Sequence, residues 1–136
     1  MRATTAFNRL LKLDGVHVTE VTFGSDTVTV DVRLRRRKLR CPLCEYTTWS
    51  RYDTRKVASS WRHLRMGVSR LVVRIKRRRL VCPTHGVRVE GVDFARPDSR
   101  FTRDFEDLVA WLATKMDKDA IRRLVDIDSR HGGPDL

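Results

Sequence analysis

The chain has no apolar run long enough to cross a bilayer, which excludes a transmembrane helix. Its opening stretch, Met1 to Leu13, mixes polar and apolar residues and contains no secretory h-region. There are only three cysteines in 136 residues, so a framework of paired disulfides is excluded. Reduced thiols without a leader point to the cytoplasm. Hydrophobic residues make up 40% of the chain, which supports only a modest core. Small cores of this kind often need a metal staple. No internal repeat is present. Acids are also scarce: 17 against 29 Lys and Arg, a net charge of +12. Such an excess on one small domain favours a polyanionic partner.

What the chain does have is two short clusters, Cys41-Pro42-Leu43-Cys44 and Cys82-Pro83-Thr84-His85-Gly86. Each offers two soft ligands separated by two residues, a spacing at which a tight turn can present both to one ion. Four such ligands close the tetrahedral shell that zinc prefers. Proline after the first cysteine fixes φ, and Gly86 lets the chain curl back under the metal. The spacing therefore predicts one structural Zn²⁺ site, with Cys41, Cys44, Cys82 and His85 as ligands on two knuckles. Folding and metal binding should be coupled, leaving the apo protein loose.

Other readings of these residues exist. Three cysteines leave one unpaired in any disulfide, and Cys-Pro-x-Cys is poor geometry for a local bridge. A thiol redox motif should open a helix, whereas Arg40-Cys41 follows a strand-like run. Two unrelated buried thiols and a stray histidine are the bland alternative. His63 is a reserve fourth ligand, or packs beside Trp61, or makes an ordinary hydrogen bond. His17 and His131 have no partners in sequence. A closed shell of four protein ligands has no open position for water, so the metal should not catalyse; neither Glu45 nor Glu90 is placed as a base.

The positive charge is clustered. Arg33, Arg35, Arg36, Arg37, Lys38 and Arg40 run into the first knuckle, and Arg74, Lys76, Arg77, Arg78 and Arg79 run into the second. Both runs converge on the metal and form the DNA-binding surface expected here, through forks onto phosphate oxygens or guanine edges. A solvated face is the alternative for any charge run. Trp49, Tyr52 and Trp61 could stack on bases, with at least two of them expected in the core.

Val16 to Phe23 and Thr27 to Leu34 read as a hairpin closed by Gly24-Ser25-Asp26. Leu71, Val73 and Ile75 mark a third strand, running on to Val81, and Val87 and Val89 a short fourth. Between Glu45 and Gly67 the sequence predicts strand fragments and loops. Beyond Arg96-Pro97-Asp98-Ser99 the period turns helical. Phe101, Phe105, Leu108, Val109, Leu112 and Met116 form one stripe, with Thr102 as N-cap. After a break at Met116-Asp117-Lys118, Ala120, Ile121, Leu124 and Val125 form a second, capped by Asp117. The fold class is α+β: a β-rich zinc-binding domain over residues 1–97, a two-helix segment over 98–128, and a disordered tail over 129–136. The helical pair looks like the opening of a helix-turn-helix; two helices packed on the sheet or on a partner is the alternative.

Taken together, Cys-Pro-x-Cys, Trp61-Arg62-His63-Leu64, an Arg-rich strand into Cys-Pro-x-His-Gly, and Arg100-Phe101-Thr102-Arg103-Asp104-Phe105-Glu106 resemble ISL-type bacterial insertion-sequence transposases. The resemblance covers residues 7 to 128. It implies an N-terminal zinc finger, then a helix-turn-helix, then a large RNase-H-like domain that carries the catalytic acids. By resemblance the zinc ligands map to the same four residues, although many relatives have Cys where His85 stands. The chain stops where the family's recognition helix should begin, so it reads as truncated, frameshifted or domesticated, and as no enzyme. The resulting expectation is a non-catalytic zinc-binding module that recognises double-stranded transposon-end DNA, with a second copy or a full-length transposase as further partners and no membrane role. The alternative is a protein-interaction module with structural zinc and no direct DNA role.

Overall fold

The computed structural model describes residues 2–126. The expectation for the tail at 129–136, and for Ile127 and Asp128, lies outside the described residues. The first element is a helix, α1 (Ala3–Leu11), followed by β1 (Val16–Phe23) and β2 (Thr27–Leu34). Short strands follow, β3 (Leu39–Arg40), β4 (Thr47–Thr48) and β5 (Asp53–Thr54), then β6 (Ser59–Met66) and β7 (Ser69–Ile75). Finally come β8 (Arg78–Cys82), β9 (Gly86–Val89), α2 (Arg103–Leu112) and α3 (Lys118–Val125). The architecture is α+β and β-rich, as the patterning predicted.

The main sheet has the order β1-β2-β7-β6. Alternation builds its core: Val28, Val30 and Val32 on β2 and Leu71, Val73 and Ile75 on β7 are all buried. Trp61, Phe7 of α1 and the Val92–Ala95 segment complete that cluster. The hairpin appears at the boundaries read from the sequence. The central pair, β2 and β7, is parallel, with Val30 opposite Val73. Both strands therefore leave the sheet at the same end, which delivers both basic runs there.

Helix α1 was not read from the sequence. It has no side-chain N-cap and buries only Phe7. Tertiary contact holds it instead. Asn8 Oδ1 accepts from Val18 N at 2.7 Å and its Nδ2 donates to Val18 O at 3.2 Å, where β1 breaks register.

Two other expectations are corrected. The third strand does not run on to Val81. It stops at Ile75, and after Lys76-Arg77 the chain re-enters a different sheet, ordered β5-β8-β9. Ile75 belongs to the main core while Leu80 belongs to a separate cluster with Leu39, Cys41 and Cys82, so one straight strand cannot serve both. Within Glu45–Gly67, where strand fragments and loops were expected, β4 and β5 are such fragments but β6 is a full eight-residue strand. Its inward residues are Trp61 and His63, not aliphatics, which hides the alternation.

The helices dock on the outer edge of β6. Arg62 N donates to Arg100 O at 2.9 Å, and Thr102 N donates to Arg62 O at 3.0 Å. Phe101, Phe105, Leu112, Ile121 and Val125 form their core, with Leu64 of β6 against it. Both predicted caps are present: Thr102 Oγ1 accepts from Phe105 N, and Asp117 Oδ1 accepts from Ala120 N. Helix α2 ends at Leu112, earlier than its stripe, and Met116 and Leu124 are exposed. Arg62 donates to Val125 O at 2.8 Å and Asp126 O at 3.0 Å, placing a cation on the carbonyl end of α3. The helix pair is thus packed on the sheet, and that packing leaves part of each stripe uncovered.

Candidate metal centre and nucleic-acid interface

Four side chains from two distant turns meet in the mini-core below the main sheet. Cys41 follows β3, and its N–H donates to Tyr46 O at 2.9 Å, closing the first knuckle. Cys82 ends β8, and His85 lies in the turn before β9, where Gly86 has φ +76. That left-handed value is what the turn asks of glycine. The two knuckles are joined by Gly91 N donating to Arg40 O at 2.8 Å.

The ligand atoms of Cys41, Cys44, Cys82 and His85 all lie within 4.8 Å of one another. Cys44 Sγ and Cys82 Sγ are 3.7 Å apart. His85 Nδ1 is 3.5 Å from Cys82 Sγ and 3.6 Å from Cys41 Sγ. A tetrahedral metal with bonds of about 2.3 Å to sulfur and about 2.0 Å to nitrogen has S···S edges of about 3.8 Å and S···N edges of about 3.5 Å. The four residues therefore fit such an ion, and could bind one. No disulfide joins the cysteines. His63 is not part of the cluster. It is buried and its Nδ1 lies 2.7 Å from Thr102 Oγ1, the ordinary hydrogen bond foreseen as its alternative.

The electrostatics of the cluster suit a cation. Burial would raise the Cys82 thiol, but the backbone N–H groups of His85 and Thr84, with the His85 side chain and Cys44, outweigh it and bring it down to about 6. The Tyr46 backbone lowers Cys44, yet burial and the neighbouring sulfurs of Cys41 and Cys82 hold it above its ordinary value. Three thiols this close cannot all ionise cheaply without a cation among them.

The predicted DNA-binding residues divide sharply. Many are engaged inside the fold. Arg36 and Arg40 both reach Asp93, at 3.2 and 2.8 Å. Arg74 forks onto Asp31, Arg79 onto Asp53, and Arg78 onto the fully buried Glu90, at 2.8 Å for Nη2 to Oε1. Arg35 donates to Val16 O. Arg77 lies against the Trp61 ring, 5.0 Å from its centroid, and donates to Ser59 Oγ. Arg33, Arg37, Lys38 and Lys76 are exposed. Lys38 sits 5.2 Å over the exposed Trp49 ring.

The aromatic expectation is also corrected. Only Trp61 is in the core; Trp49 is 69% and Tyr52 57% exposed. Trp49 follows β4 and Tyr52 precedes β5, two-residue strands with no apolar face to bury, so the rings stand in solvent beside Lys38 and Arg79.

Beside the cysteine and histidine cluster runs a cleft of about 720 Å³, whose lining extends to Arg103 at the start of α2. Arginines from well-separated segments line it, including Arg55, Arg88, Arg96 and Arg103. Sequence reading had no signal for this grouping, because these residues stand singly along the chain.

Residues 90–130 match the helix-turn-helix domain of transposase family ISL3. Over 98% of its length the chain is 34% identical to the transposase for insertion sequence element IS1557 of Mycobacterium tuberculosis, in strain CDC 1551 / Oshkosh and equally in strain H37Rv. The match covers 32% of those proteins, so the chain spans about a third of the length of the curated relatives it matches. No solved structure matches it. The likeness to ISL-type transposases drawn from the motifs thus holds, and the helix-turn-helix match takes in α2 and α3.

Proposed function

We propose that this chain is the end-recognition module of an ISL-type transposase: a zinc-stapled β-domain, residues 1–97, that carries a helix-turn-helix segment, residues 98–128, onto the terminal DNA of the element. The match of residues 90–130 to a transposase helix-turn-helix, on a chain of net charge +12, is the observation that carries this reading. Zinc suits the donor set, since thiolates and imidazole in a closed tetrahedral shell are its usual structural ligands. Its role here is architectural: Cys41, Cys44, Cys82 and His85 fill the shell, and the knuckles hold Arg33 to Arg40 near Arg74 to Arg79. The proposal gives these residues no part in strand transfer. It places the protein in the cytoplasm, on the nucleoid. No helix among the described residues is long and apolar enough to cross a membrane.

Binding should combine phosphate contacts from the exposed cations with stacking by Trp49 and Tyr52. The test is a mobility shift with duplexes carrying the element's terminal repeat or a scrambled sequence. Preference for the repeat, and affinity falling with salt at a log–log slope of about −0.9 per phosphate contact, is the expected outcome. No shift even at low salt overturns the reading. A second reading, assembly with another copy or with full-length transposase, is favoured by exposed Trp111, Met116 and Leu124 on the helical segment. Sedimentation without DNA separates the two, since that reading requires a concentration-dependent dimer.

A further inference from the structure

We propose that the cleft between the metal-bearing knuckles and α2 seats a DNA phosphodiester, with Arg77 at its floor and Arg55, Arg88 and Arg103 on its walls. This rests on the DNA-binding reading above and deepens it. It moves the principal phosphate anchor from the exposed cations of the basic runs to Arg77 of the second run and three arginines that meet it only in the folded chain.

The charge count is the first argument. The acids that line the cleft are Glu45 and Asp98, against seven arginines. Three of the seven are already neutralised: Arg40 by Asp93, Arg79 by Asp53, and Arg96 by Glu106 and Asp107. Arg55, Arg77, Arg88 and Arg103 form no ion pair among the described residues. Four guanidinium groups without a carboxylate partner therefore line one concave surface, Arg88 through its Nε also donating to His85 O at 3.1 Å. Fields of one sign focus in such a concavity.

Arg77 supplies the second argument. It is half-buried, lying on Trp61 at the edge of the main core. Burial lowers its pKa, Arg55 lowers it further, and Glu90 and Asp98 only partly oppose them. A desolvated cation without a counter-ion is unfavourable, and an oxyanion offsets that cost. The geometry is ready for one. Nε is committed to Ser59 Oγ at 2.9 Å, while neither Nη bonds a protein acceptor among the described residues. The ring of Trp61 fixes the guanidinium plane, and a phosphate can take its free edge. Arg103, at the first position of α2, brings the helix-turn-helix segment to the same cleft. One phosphate seated here would set the approach of both units to the duplex.

The test compares three zinc-loaded variants by salt-dependent mobility shift, with metal content and melting checked first. Arg55→Ala/Arg103→Ala alters two exposed side chains around the one seated phosphate and should make the salt slope shallower by about one. Arg77→Met keeps the packing on Trp61 and should make it shallower by about one, while Arg77→Lys restores the slope and not the full affinity. Arg33→Ala/Lys76→Ala removes exposed charge outside the cleft and should change the slope less than Arg55→Ala/Arg103→Ala does. The reverse ranking overturns the proposal and leaves the phosphate contacts on the basic runs. So does saturable inorganic phosphate binding that shifts the Arg77 Nε–H resonance while DNA does not, which would make the cleft a small-anion site. Failure of the unaltered protein to shift any duplex is a different result, and sinks the DNA-binding reading itself.

Discussion

His63 Nδ1 and Thr102 Oγ1 meet at 2.7 Å with both residues buried. Thr102 Oγ1 also accepts from Phe105 N, so the hydroxyl serves the helix cap and the imidazole together. One short bond thus ties β6 to the cap of α2, and so the sheet to the helix-turn-helix segment.

The burial of His63 makes stability depend on pH. Burial lowers the His63 pKa, and the Asp104 carboxylate opposes the shift only in part. The unfolded chain takes up a proton that the folded chain resists. The contribution is therefore complete above the unfolded pKa of about 6.5 and is lost as pH falls below it toward the folded value. His63→Gln retains an acceptor and cannot titrate. Urea unfolding at saturating zinc should show the gap between wild type and His63→Gln narrowing from about pH 7.5 to about pH 5.5. A gap that stays constant refutes the assignment.

The fourth ligand position should accept either soft donor. His85→Cys should retain one metal per chain, since a four-thiolate shell is equally tetrahedral. His85→Ala should lose affinity and melt earlier, and Cys41→Ser should do so more severely because Cys41 is also part of the buried mini-core. Elemental analysis with thermal melting checks all three. A Cys41→Ser variant with normal melting would show that the metal is not structural.

The pair Arg78 and Glu90 should respond asymmetrically. Glu90 has 2% of its side chain exposed against 26% for Arg78, and it also accepts from Arg78 N. Arg78→Met leaves a buried carboxylate with its charge unopposed, at a cost of about 3–5 kcal/mol. Glu90→Gln leaves a cation that still reaches water and Arg37 O, and should cost less. The double variant Arg78→Met/Glu90→Gln should recover part of the single Arg78→Met loss. Denaturant unfolding of the set measures the coupling.

Elements whose determinants are local were legible in the sequence. The β1–β2 hairpin follows from its turn cluster and clean alternation, and both helix caps from single side chains beside apolar stripes. The four-ligand cluster followed from spacing alone, because only one arrangement brings two such turns to one point. What depends on distant partners was not legible. The basic runs looked free because Asp31, Asp53, Glu90 and Asp93 are remote in sequence from the arginines they hold. Helix α1 rests on Asn8 and Phe7 finding the sheet, and β6 buries a tryptophan and a histidine where a pattern search looks for aliphatics. The cleft is the extreme case, since no two of its uncompensated arginines are adjacent.

The parallel pairing of β2 with β7 has a consequence for synthesis. The first knuckle, β5 and β6 all lie between those strands in sequence, so the sheet cannot close while β7 is still within the ribosome. Long-range pairing of this sort is intrinsically slow. Until then Cys41 and Cys44 wait in solvent without Cys82 and His85. The two early thiols therefore spend longest without their partners just before the last strands emerge, and a metal ion bound at that moment would shield them.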